Sequence, residues 1–167
     1  GSPADDYGRG VRVGPAGDVY VSGKGGSGLF GLPSNGADDF FVARFDPNGV
    51  LVWANLWGSN AVEDPAHLAI DGARNCVFIT GTTFGSNGGY TNAGQDDIVV
   101  AQFDLAGNYL NCWQWGTTER EQGTGLGVDP VTGDVFVQII TMGNLYGPPQ
   151  GGYDLALVRL DPSPPLP

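Results

Sequence analysis

DDFFVARFD at 38–46 returns as DDIVVAQFD at 96–104 and again as YDLALVRLD at 153–161. The copies begin 58 and then 57 residues apart, a spacing regular enough to mark one supersecondary unit written three times. In the first copy Phe40, Val42 and Arg44 share one face, while Phe41, Ala43 and Phe45 share the other; Ile98, Val100 and Gln102 against Val99, Ala101 and Phe103 repeat the pattern. A strand apolar on both faces must be covered on both sides.

Other landmarks keep the same period. GDVYVSG at 17–23 matches NCVFITG at 75–81 and GDVFVQI at 133–139, and LVWANLWGS at 51–59 matches YLNCWQWGT at 109–117. A shorter apolar alternation precedes each, at 11–13, 68–70 and 126–128, and reads as a half-buried first strand. Turns such as Asp46-Pro47-Asn48-Gly49 and Asp104-Leu105-Ala106-Gly107 separate the third strand from the fourth. They place Asp early, for side-chain capping, and Gly late, for a positive φ. Four antiparallel strands covered on both faces describe a propeller blade.

The expected fold is therefore all-β, three propeller-like four-stranded antiparallel blades, with a β-prism of three sheets as the alternative. The blades span about 1–58, 59–116 and 117–161, and residues 162–167 form a Pro-rich tail or linker. Two departures stand out: Ile139 occupies the place of Gly23 and Gly81, and the third copy lacks its last, Trp-bearing strand. Three blades are also too few to close a ring, which usually takes four to eight.

Composition narrows the function. Eighteen acids against seven bases give a formal charge of -11, with no basic stripe, so nucleic acid and anionic membranes are poor partners. No apolar run reaches membrane-spanning length. The 29 glycines and 12 prolines suit short strands and many turns. Cys76 and Cys112 both fall in the second copy, on strands separated by a third; a disulfide and two small buried thiols remain open alternatives.

The string Asp5-Asp6-Tyr7-Gly8, Gly17-Asp18-Val19-Tyr20-Val21-Ser22-Gly23, Asp39-Phe40-Phe41-Val42-Ala43-Arg44-Phe45 and Trp57-Gly58 resembles the SBBP-type repeats of extracellular β-propellers, which are seven-bladed. That resemblance covers nearly the whole chain. It implies a structural or adhesive surface module, with an extracellular or cell-surface location and no catalytic residue set.

Catalytic motifs are absent: no nucleophile elbow, HExxH, P-loop or CxxC pair occurs. His67, the one histidine, aligns with Gly10 and Gly125 at the start of an innermost strand, where it either lines a central channel or serves the structure. Asp39, Asp97 and Asp154 recur at one blade position. They either ring a Ca²⁺ ion, the one cofactor the sequence admits, or cap turns by bonding nearby amides. The loops between second and third strands embed Phe30, Phe84, Tyr90 and Tyr146 among glycines, where they can stack on glycans, meet another subunit or cap the core beneath. No Asn-x-Ser/Thr sequon occurs, so a glycan would be O-linked, with Pro162, Ser163, Pro164 and Pro165 as the tail candidates. That tail resembles the hydroxyproline-rich segments of green-algal and plant matrix proteins.

An open stack of three blades leaves the first blade's outer face bare and the last blade with an unpaired edge along Leu155, Leu157 and Leu160. The expected partners are copies of the same chain, in a filament or a ring, or further repeats of a longer chain. The expected function is a non-enzymatic structural protein that self-assembles into a surface fibre or matrix by strand complementation. A propeller lectin or adhesin binding glycan or Ca²⁺ is the alternative.

Overall fold

The structure, a computed structural model, describes residues 1–162. Among the described residues eleven strands fall into three antiparallel sheets. The first holds β1 (Tyr7–Val13), β2 (Val19–Gly25), β3 (Asp39–Phe45) and β4 (Leu51–Trp57) in that order. The second holds β5 (Glu63–Asp71), β6 (Cys76–Thr83), β7 (Asp97–Asp104) and β8 (Tyr109–Trp115). The third holds β9 (Glu121–Val128), β10 (Val135–Thr141) and β11 (Asp154–Leu160), so among the described residues β11 is a sheet edge with no fourth strand beside it. Among the described residues the blades thus number two complete and one unfinished, as the repeat pattern requires.

The turns work as their residues dictate. Asp46 Oδ1 accepts the N–H groups of Asn48 and Val50 at 2.9 and 2.8 Å, and Gly49 takes φ 82. Asp104 treats Ala106 and Asn108 alike at 2.9 and 2.8 Å, with Gly107 at φ 94. The Asn108 side-chain amide, foremost at Asp104, and these backbone donors hold the Asp46 and Asp104 carboxyls below their ordinary range.

The innermost strands run longer than the apolar alternation suggests, starting at Tyr7, Glu63 and Glu121 rather than 11, 68 and 126. Each carries an irregularity at the same repeat position, Gly8 to Gly10, Pro65 to His67 and Gly123 to Gly125. One extra residue there breaks the period-two pattern, which hid the strand's first half from sequence reading.

The sheets stack face on face. Tyr20, Phe40 and Val42 of the first meet Leu68, Val77, Ile79, Val99, Ala101 and Phe103 of the second in one cluster. Phe78, Ile98 and Val100 of the second meet Val135, Val137 and Ile139 of the third in another. Ile139 is thereby explained. At the first junction a Cβ on Gly81 would strike Asp64 O and Pro65 Cα of the neighbouring strand as well as the Phe40 ring; at the second, Gly123 stands in the place of Pro65, and the counterparts of Phe40 and Gly81 are isoleucines, Ile98 and Ile139. A smaller side chain on one sheet is matched by a larger one on the next.

The first blade's outer face is not bare. Leu29 and Phe30, in the turn at Leu29–Gly31, fold back over Phe41, Ala43 and Phe45, and Phe30 packs edge-on against Phe41 and Phe45 at 5.7 and 6.5 Å. A loop reading by composition alone cannot tell a ring that reaches outward from one that closes its own blade.

Candidate functional site

Each blade junction is fastened at the same place. Asp39 starts β3, and Glu63 starts β5 of the next blade; both are fully buried. Glu63 Oε1 accepts hydrogen bonds from Ser59 Oγ at 2.6 Å and Thr83 Oγ1 at 2.9 Å. Asp39 Oδ2 accepts the Asn35 N–H at 2.6 Å. That leaves Asp39 Oδ1 and Glu63 Oε2, both buried and neither served by another donor. The two oxygens border Gly58 so closely that any Cβ there would overlap both.

One proton satisfies this arrangement. Two bare carboxylates side by side in a buried site repel each other, whereas a carboxylic acid donating to a carboxylate leaves neither oxygen orphaned. Burial pushes the Glu63 carboxyl up, against the opposing pull of Ser59 and Thr83, and pushes Asp39 up as well, with Glu63 as a donor to it. A proton held between two such carboxyls belongs to both.

The second junction repeats the parts. Thr117 donates to Glu121 through Oγ1 at 2.7 Å and through its N–H at 2.6 Å, Thr141 Oγ1 donates at 2.7 Å, and Ala93 N–H reaches Asp97 Oδ2 at 3.0 Å. Asp97 Oδ1 and Glu121 Oε2 border Gly116 as their counterparts border Gly58. Backbone bonds run beside both pairs, from Glu63 N–H to Asp38 O at 2.9 Å and from Glu121 N–H to Asp96 O at 3.1 Å.

The fourth strand adds a further layer. Trp57 stacks between Phe40 and Tyr109 at 6.0 and 5.9 Å. Trp53 Nε1 donates to Leu105 O at 3.0 Å, and Arg44, paired with Asp18, donates to the same carbonyl at 3.1 Å. The third blade keeps the arginine, Arg159 paired with Asp134 at 2.8 Å, but among the described residues no fourth strand supports it.

The residues singled out from the sequence are placed as follows. Asp39 and Asp97 lie at separate junctions, each with its own glutamate, and Asp154 stands on the third blade accepting the Gln150 N–H at 2.8 Å. Among the described residues no three His, Cys, Asp or Glu side chains converge to hold a metal ion. Leu155 and Leu157 are exposed on the third blade's outer face, while Leu160 turns inward and packs on the cluster shared with the second blade. Phe84, Tyr90 and Tyr146 are exposed on their loops; Phe30 is the ring that folds back.

His67 Nδ1 lies 3.3 Å from Arg12 Nη2 across the first junction, beside a shallow cleft that also takes in Gln138 and Leu157 but no carboxylate. Cys76 and Cys112 are free, buried, and in the two different clusters on opposite faces of the second sheet, so no disulfide joins them. Pro162 borders a cleft with Arg74, Cys76 and Thr132; Ser163, Pro164 and Pro165 lie outside the described residues.

Sequence reasoning missed Glu63 and Glu121. Their signal was present, because Ser59-x-x-x-Glu63 and Thr117-x-x-x-Glu121 recur at the repeat period, with Ser2-x-x-x-Asp6 as the first copy.

Among the described residues no helix is long and apolar enough to cross a membrane. No protein-family model matches the chain, and no curated protein matches it.

Proposed function

We propose that this chain is a non-enzymatic structural module of the cell surface or extracellular space that associates with copies of itself into a fibre or matrix. One observation carries the reading. Phe40, Val42, Ile98 and Val100 are buried at the two junctions, yet their third-blade counterparts Leu155 and Leu157 are 70% and 68% exposed, beside the unpaired edge of β11. A surface that the same chain covers twice and leaves open once calls for a partner. The extracellular setting rests on the resemblance to SBBP-type repeats and on the tail's composition.

Replacing Leu155 and Leu157 with glutamate tests the reading. The double variant should keep the wild-type melting temperature, since both side chains already face water, and should lose association in sedimentation velocity. A variant that associates as the wild type does removes this surface from the account.

A second reading, a module that binds glycans, is favoured by Tyr146, 60% exposed at the mouth of a cleft that also holds Gln150 and Asp154. An exposed aromatic beside amide and carboxylate groups suits a sugar ring. Calcium has weaker support, because only two free carboxylate oxygens meet at the first junction, and a hard cation takes about six to eight.

A further inference from the structure

Each junction inside the chain joins two different surfaces. The preceding blade supplies an aspartate with its amide donor (Asp39, Asp97), a glycine against which the next repeat's backbone lies, and two apolar side chains. A Cβ on Gly36 would strike the backbone of Ser59 and Ala61, and one on Gly94 the backbone of Thr117 and Thr118. The following blade supplies a hydroxyl four residues before an acid, Ser59 with Glu63 or Thr117 with Glu121.

Among the described residues both surfaces occur once more, unpaired, at opposite ends of the stack. On the third blade Asp154 keeps its amide donor, Leu155 and Leu157 are exposed, and nothing lies within 4 Å of a Cβ placed on Gly151, the counterpart of Gly36 and Gly94. On the first blade Ser2 Oγ donates to Asp6 Oδ1 at 2.8 Å, repeating the bonds from Ser59 to Glu63 at 2.6 Å and from Thr117 to Glu121 at 2.7 Å.

Two side chains of the first blade, Leu29 and Phe30, stand in the way. Phe41, Ala43 and Phe45 correspond to Val99, Ala101 and Phe103, the face on which the second blade receives the first. Phe30 covers that face of the first blade, at φ 54 and 36% exposed. Its counterpart is Gly88 at φ 58, which leaves the second blade's face clear for Phe40 and Trp57. The left-handed region suits glycine and tolerates phenylalanine only where contacts hold it.

We propose that the third blade of one copy docks on the first blade of a second copy, head to tail, with Asp154 meeting Asp6, and that Phe30, with Leu29 beside it, is a plug that must swing aside. This rests on the self-association reading and gives it a surface, a polarity and a brake: blades stack by their faces, not by adding a strand to β11. The occupant is a second copy because the chain itself shows, twice, that this surface fits the opposite face of the same repeat. Two third-blade ends cannot satisfy each other, since each brings the aspartate and neither brings the hydroxyl–acid turn. Asp6 is one methylene shorter than glutamate, so residues 2–6 would sit closer to Asp154, into the space that Gly151 leaves empty.

Sedimentation velocity over a concentration series, on wild type, Gly151→Val and Phe30→Gly, tests this, with melting curves to read the fold. Gly151→Val should melt as the wild type and weaken association by at least about tenfold, because the valine fills the docking slot. Phe30→Gly should strengthen association by about tenfold. A folded Gly151→Val that associates normally, or a folded Phe30→Gly that associates less, overturns this docking while leaving self-association in place. If Phe30→Gly melts early, Gly151→Val decides alone. A mass of one chain for all three proteins at every concentration overturns both readings.

Discussion

The buried pair Asp39–Glu63 predicts a stability that falls as pH rises. Unfolded, Glu63 titrates near its ordinary 4.5; folded, burial holds its proton to higher pH. Between those two values the folded chain keeps a proton that the unfolded chain has released, so each step up in pH favours unfolding. One retained proton gives a slope of about 1.4 kcal/mol per pH unit. For a chain of this size, with an unfolding entropy near 2.1 cal/mol/K per residue, that is about 4 °C of melting temperature per unit. The carboxyls held below their ordinary range, Asp6, Asp46, Asp104, Asp129 and Asp134, act with the opposite sign and elsewhere. They are ionised in the fold before the unfolded chain ionises, so their contribution is lost only as pH falls below about 3.8.

Glu63→Gln separates the pair from every other group. Its amide N–H can donate to Asp39 Oδ1 without any titratable proton, while its oxygen keeps the donors Ser59 and Thr83. Melting followed by circular dichroism as the pH is raised from 4.5 should show the wild type losing stability and the variant holding level. A flat wild-type profile, or a variant that runs parallel to it, would refute the shared proton.

Two further substitutions probe the same junction. Gly58→Val drives a side chain into both carboxyls and should cost at least about 3 kcal/mol in chemical denaturation, while Gly127→Val, where a Cβ meets open space, should cost less than about 1 kcal/mol. Trp57→Ala removes the ring between Phe40 and Tyr109 and should cost about 3 kcal/mol, with hydrogen exchange rising in β4 and β8 before β10.

Much of the fold was written in the sequence because the repeat states it three times. Strands β2 and β3 and their copies announce themselves by being apolar on both faces, and the Asp-to-Gly turns fix where the chain reverses. The first halves of β1, β5 and β9 escaped notice because the bulge shifts their side chains out of register. The recurring aspartates were legible as a position, but their meaning lay in the junction. Asp39 meets Glu63 only because the next blade lies against it, and those residues stand 24 apart in the chain with no local pattern joining them. Phe30 was legible as an aromatic in a glycine-rich loop; that it folds onto Phe41 depends on the left-handed turn at Gly28 and Phe30 itself.

The central claim is that the third blade's outer face is a contact surface for another copy. The mass of the wild-type chain, followed by light scattering as its concentration rises from low micromolar to millimolar, tests that most directly. The account predicts a mass that grows beyond one chain, and growth that is lost when Leu155 and Leu157 become glutamate. A mass fixed at one chain across the whole range would contradict it.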